Sequence, residues 1–166
     1  MSIRISQAQQ RYASIQGFIE ALRRLDAADG VRPTYTALTE ALFWAVTIED
    51  DLSREDWYEE RRAASEHRPF MPGVRYARNF ATHQVVALAE HVGGVTFPMS
   101  FPMSFPPKQT IWLAFEELPE PEKRSKYTPM QQESYRTHLA GKPTLEALVT
   151  VQEWLRSVQD VALPGR

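Results

Sequence analysis

The sequence predicts an all-α protein, an antiparallel bundle of about five helices with an extended or hairpin insert at about 95–115. Three observations predict it. Apolar residues recur at spacings of three and four along most of the chain, the period of a helix that buries one face. Thr128-Pro129-Met130-Gln131 is an explicit helix start, with Thr as N-cap, Pro at the first helical position and Gln where a capping box needs it. The run "FPMSFPMSFPP" (97–107) spaces its prolines too closely for a helix or a central strand.

The first helix begins near Ile5, with Ile5, Ala8, Tyr12, Ile15, Ile19 and Leu22 as its stripe. Gly30 is a plausible stop, and Pro33 follows shortly after. A second helix spans about Tyr35 to Leu52, with Leu38, Ala41, Leu42, Ala45 and Ile48 on one face and Phe43 and Trp44 widening it. Ser53 with Asp56 resembles the opening of a short helix through "WYEERR". "EHRPFMPG" reads as a loop, because Pro69, Pro72 and Gly73 interrupt any period.

A third helix is expected over Val74 to Val92, striped by Val74, Ala77, Ala81, Val85, Leu88 and Val92 and stopped by Gly93-Gly94. The tandem Phe-Pro-Met-Ser that follows reads as a surface loop whose Phe and Met cover apolar helix surface, or as a partner-docking segment. "QTIWLAF" (109–115) suits one short strand, and "EELPEPEKRSK" a charged linker. The helix opened by Thr128 should stop at Gly141. A last one starts near Thr144 with Leu148, Val151, Leu155, Val158 and Ala162 on its inner face.

The 166 residues suit one domain, 1–166, and 43% apolar with 24% charged residues is ordinary for a globular chain. A net charge of −2 offers no global field to attract nucleic acid, so any such binding needs a local patch. The absence of cysteine excludes disulfides, a thiolate nucleophile and Cys-based zinc sites. No metal and no cofactor is expected. The N-terminus lacks the apolar run of a signal peptide and no stretch has membrane-spanning length, so a cytoplasmic protein without membrane contact is expected.

Chemistry concentrates in "ARNFATHQ", residues 77–84. On a helix Asn79 and His83 stack at i, i+4, and Arg78 flanks their strip above Thr82, away from Ala77, Ala81 and Leu88. An imidazole can exchange a proton near neutrality, and a guanidinium can grip a phosphate through paired hydrogen bonds. The bland alternative is a solvated or dimer-bonding face. Spacing alone decides nothing: Arg61 and Arg62 both stand at permitted distances before His67, which reads as lying in a loop or a fraying helix end.

"RYARNFATHQ" resembles the R-x4-6-H signature of the HEPN superfamily, in the form with Asn directly after the Arg. The order of elements from Tyr12 to Val92 is similar too: two long helices, an acidic end to the second, then the motif on a third. The resemblance implies a HEPN-like homodimer whose two motif helices line one composite cleft. It implies a metal-independent endoribonuclease, of the kind that serves as a toxin or phage-defence effector, leaving a 2′,3′-cyclic phosphate. In that reading His83 is the general acid/base, Arg78 holds the scissile phosphate and Asn79 positions the RNA backbone or the partner histidine. A separate antitoxin or nucleotidyltransferase is a conceivable partner. The rival reading is a non-catalytic HEPN-like binding or scaffold protein engaging a nucleotide or a protein partner.

Auxiliary candidates are Glu49, Asp50, Asp51 and Tyr76. The acidic triplet reads first as a solvated helix end, since successive helical residues do not converge on one ion; one of its carboxylates would otherwise orient His83 or Arg78. Tyr76 is either a stacking platform or core. Arg75, extended by Arg61, Arg62 and Arg68 if the loop folds back, is the one local basic patch for RNA. His83 and His91, eight apart on the expected third helix, are too distant to share a metal, and His138 stands alone in the fourth.

Overall fold

The computed structural model describes residues 5–83, 88–93, 108–121 and 127–163, with position 83 described in its backbone only. It is mostly helical, with one small antiparallel sheet. Helix α1 (Gln7–Asp26) opens on a capping box: Ser6 Oγ accepts from the Gln9 backbone N–H (3.2 Å) and Gln9 Oε1 from the Ser6 N–H (2.8 Å). Its buried face runs through Arg11, Ile15, Phe18, Leu22 and Leu25. The expected stripe is therefore rotated. Ile5 is 63% exposed, Ala8 is exposed, and Tyr12 and Ile19 lie at the margin, because Phe18 and Leu25 turn the helix toward the core.

Helix α2 (Val31–Leu52) starts earlier than its periodicity suggests. Gly30, expected to end α1, instead occupies the N-cap of α2 with φ +93°, a backbone region that glycine enters without Cβ strain. Pro33 fits in the first turn, where its missing N–H would have had no partner. The expected face of α2 is buried. The ends cross: Gln7 and Arg11 reach Asp51, and Arg24 reaches Glu40, so α1 and α2 run antiparallel. Ser53 caps the end of α2 by donating to Asp50 O (3.0 Å), and the short α3 (Tyr58–Ala63) has no side-chain cap. The Ser53/Asp56 start is thus corrected.

Helix α4 (Met71–His83) absorbs Pro72 and Gly73 into its first turn, shortening the expected loop. Gly73 is required there by proximity. A Cβ would meet the Tyr135 backbone N at 3.0 Å and the Ser134 carbonyl carbon at 3.1 Å, where α4 crosses α5 (Pro129–Ser134). Helix α4 is described as far as His83, and the expected Val85 lies outside the described residues, but the helix does not reach Val92. Ala89–Val92 form strand β1, which pairs antiparallel with β2 (Gln109–Trp112) in the register Ala89↔Trp112 to Val92↔Gln109. The insert thus pairs an unexpected earlier strand, β1, with β2, which falls within the short strand expected over 109–115, and the Phe-Pro-Met-Ser run lies outside the described residues.

Strand β2 docks on the turn after α5: Trp112 N donates to Lys142 O (2.9 Å) and Gly141 N to Trp112 O (3.0 Å). The capping box at Thr128 and Gln131 is present, and α5 continues as a π-helical turn, Tyr135–Leu139, before Gly141 (φ +70°). Helices α6 (Thr144–Ser157) and α7 (Gln159–Ala162) close the core with Leu148, Val151, Leu155, Val158 and Ala162. Among the described residues no helix is long and apolar enough to cross a membrane.

Candidate functional site

Of the acidic end of α2, Glu49 is withdrawn from solvent, while Asp50 and Asp51 stay partly solvated. Glu49 is only 5% exposed, because three cationic or phenolic groups converge on it. Tyr58 Oη donates to Glu49 Oε1 (2.7 Å), Arg62 Nε to the same oxygen (3.3 Å), and Arg75 Nη2 to Oε2 (3.2 Å). Arg75 Nη2 also donates to Asp50 Oδ1 (2.7 Å). A buried carboxylate must be paired and hydrogen-bonded, and this one is on both oxygens. Burial and the Glu49 charge raise the Tyr58 pKa, so the phenol stays a donor. Burial disfavours the Arg75 charge, yet Asp50 and Glu49 more than offset it and raise its pKa.

Asp51 leaves in the other direction. It accepts from Arg11 Nε (2.6 Å) and Gln7 Nε2 (3.2 Å), and Arg11 also holds Glu55 (2.5 Å) and the Ala162 carbonyl (3.1 Å). The three successive acids therefore diverge, Asp50 toward Arg75 of the motif helix and Asp51 toward α1. Among the described residues no group of three metal-ligating side chains forms.

Helix α4 buries Val74, Tyr76, Ala77 and Phe80 and turns Arg75, Arg78, Asn79 and Thr82 outward. Arg78 and Asn79 are half-buried. Thr82 Oγ1 donates to Arg78 O (3.0 Å) and Asn79 O (3.3 Å), tying down the backbone that carries both side chains. Arg78 differs from its neighbour: among the described residues no carboxylate bonds its guanidinium. Burial first, then the charge of Arg75, pulls its pKa down, and Asp50 works against them. Five residues separate 78 from 83, about 140° around the axis. Arg78 and position 83 thus lie on different sides of α4, position 83 on the side of Tyr76. A single helix does not converge them.

Other expected site residues lie elsewhere. Tyr76 is core, 1% exposed, packed against Phe80, Phe115, Tyr127 and Tyr135 at centroid distances of 5.0–5.8 Å. Burial, then the Tyr127 phenol, pushes its pKa up to about 12. Arg62 and Arg75 are committed to Glu49, whereas Arg61 and Arg68 are exposed. The basic patch is therefore smaller than expected. His91 is on β1, not on the motif helix, and bridges Thr34 Oγ1 (3.2 Å) and Thr110 Oγ1 (3.0 Å).

His67, expected in a loop, does lie in a turn, but its side chain is fully buried while Glu66, Arg68 and Pro69 around it are exposed. Its ring stacks on Trp154 (centroids 4.0 Å, 19°). Ser65 Oγ donates to Arg62 O (2.8 Å), which leaves His67 Nδ1–H to donate to Ser65 (2.5 Å), and Nε2 meets no partner among the described residues. The Glu49 hub was missed in the sequence, although Tyr58 and Arg62 at i, i+4 signal one helical face able to meet a common carboxylate.

No family model, curated protein or solved structure matches this chain. The reading of the site therefore rests on its residues.

Proposed function

We propose that the chain is a HEPN-like, metal-independent endoribonuclease that works as a cytoplasmic homodimer, in the manner of a toxin or phage-defence effector. One observation carries the reading: Arg78 is held half-buried on the outward face of α4 with no described carboxylate neutralising it. A desolvated guanidinium without a partner is suited to an anion that arrives later. Asn79 beside it and His83 farther along supply the polar and proton-transferring groups of the motif.

The 140° between Arg78 and His83 makes a two-fold assembly the natural way to combine them, each cleft face drawing on both helices. One imidazole takes the proton of the RNA 2′-hydroxyl as that oxygen attacks phosphorus. The P–O5′ bond breaks, the 5′-oxygen receives a proton, and a 2′,3′-cyclic phosphate remains. Arg78 stabilises charge on the phosphorane. The Glu49–Arg75 pair braces α4 against α2, so Glu49 and Asp50 act on the motif through Arg75.

Wild-type full-length protein should cut single-stranded RNA in the presence of a chelator. His83→Ala and Arg78→Ala should each lose on the order of 10²-fold or more in rate while remaining folded dimers. A partner-free wild type that leaves RNA intact sinks this reading. A non-catalytic binding role is favoured by one observation, the commitment of Arg62 and Arg75 to Glu49, and it predicts that inert result.

A further inference from the structure

A cleft of about 650 Å³ opens beside the motif helix, between the segment after β2 and α5. Its lining includes Tyr76, Phe115 and Tyr127, with Gln132, Arg136 and Glu116 among its polar groups. The Arg136 guanidinium carbon sits 3.7 Å from the Phe115 ring centroid, extending the aromatic wall by a second flat surface. Arg136 belongs to the π-helical turn Tyr135–Leu139, a distortion that recurs at functional sites. Among the described residues the Glu116 carboxylate and the Gln132 amide have no hydrogen-bond partner.

We propose that this cleft takes a nucleobase of single-stranded RNA, guanine before the other three. Tyr76 and Tyr127 are core behind the half-buried Phe115, so the flat surface left to an unstacked base is the Arg136 plane backed by that ring, the kind of plane on which such bases pack. A carboxylate accepts from base donors, and guanine alone presents adjacent N1–H and N2–H₂ groups to its two oxygens. The cleft suits the base rather than the phosphate, because among the described residues its arginine, Arg136, is laid on a ring and lies 3.9 Å from Glu133, and the carboxylates of Glu116 and Glu120 line it. It also disfavours a cationic side chain, since Arg136 occupies the cation-binding face of Phe115. Tyr76 and position 83 are seven residues apart, on one helical side and about 10 Å along the axis. The bound base would therefore flank the bond cut in the proposed function. That adjacency rests on the ribonuclease reading; the base pocket itself does not.

Titration of full-length protein with the four nucleoside 5′-monophosphates, followed by calorimetry or NMR, tests the assignment. Guanosine monophosphate should bind most tightly. Phe115→Ala and the surface change Glu116→Gln should each weaken it at least tenfold, while Arg23→Ala, on the exposed side of α1, leaves it unchanged. Equal binding of all four nucleotides, or indifference to Glu116→Gln, overturns the proposal. Selective binding without RNA cleavage would keep the pocket and dismiss the ribonuclease. Cleavage without base preference or nucleotide binding would do the reverse.

Discussion

Acidification should loosen this protein through His67 in particular. The imidazole is fully buried, stacked on Trp154, and among the described residues its Nε2 has no acceptor or donor to meet. Burial, then the nearby Arg62 charge, pulls its pKa down to about 3 from the ordinary 6.5. A base whose folded pKa is depressed contributes its full stability above the unfolded value. That stability is lost as pH falls from about 6.5 toward 3, because the unfolded chain takes up the proton first. At pH 4.5 the folded ring is still neutral, so the loss is two pH units at about 1.4 kcal/mol each, roughly 2.7 kcal/mol. For a chain of this length that lowers Tm by about 5–11 °C. His67→Phe keeps a flat ring against Trp154 and removes the titration. Urea denaturation followed by circular dichroism at pH 7.5 and 4.5 would compare the two. Carboxylate effects are common to both proteins and cancel in the difference. If wild type and His67→Phe lose the same stability, the buried neutral imidazole is wrongly placed.

Other outcomes follow from packing. Arg11→Ala strips Asp51, Glu55 and the Ala162 carbonyl of their shared donor and should cost about 1–3 kcal/mol in chemical denaturation, since both acids are partly solvated. Gly73→Ala should destabilise by roughly 1–3 kcal/mol despite its better helix propensity, because the Tyr135 and Ser134 backbone cannot withdraw; a raised Tm would refute the close crossing. Thr128→Ala should cost about 1 kcal/mol and Thr128→Ser far less, read by thermal melts.

What could be read from the chain followed the range of the interactions. The start of α5 was legible because its cap is made within four residues, and the inner faces of α2 and α6 because their apolar period is unbroken. The end of α4 was not. Leu88 and Val92 continue the motif helix's spacing by coincidence, while 89–92 are claimed by a strand about 20 residues away. Arg11 interrupts an apolar face and looks like an exposed residue, yet it pairs with acids 40 and 44 residues on. Glu49 likewise takes partners from α3 and α4. Of the candidate site, Arg78 and Asn79 on an outward face follow from helical spacing. The removal of Arg62 and Arg75 from the basic patch does not, since only the fold brings them to Glu49.

The hairpin has a consequence for the segment that joins its strands. Its two strands are fixed from below: His91 is tied to Thr34, and β2 to the backbone at Lys142 and Gly141. Whatever joins Val92 to Gln109 therefore inherits a gap whose width is set elsewhere. Those anchors hold the register of the strands whatever the length of the segment that joins them.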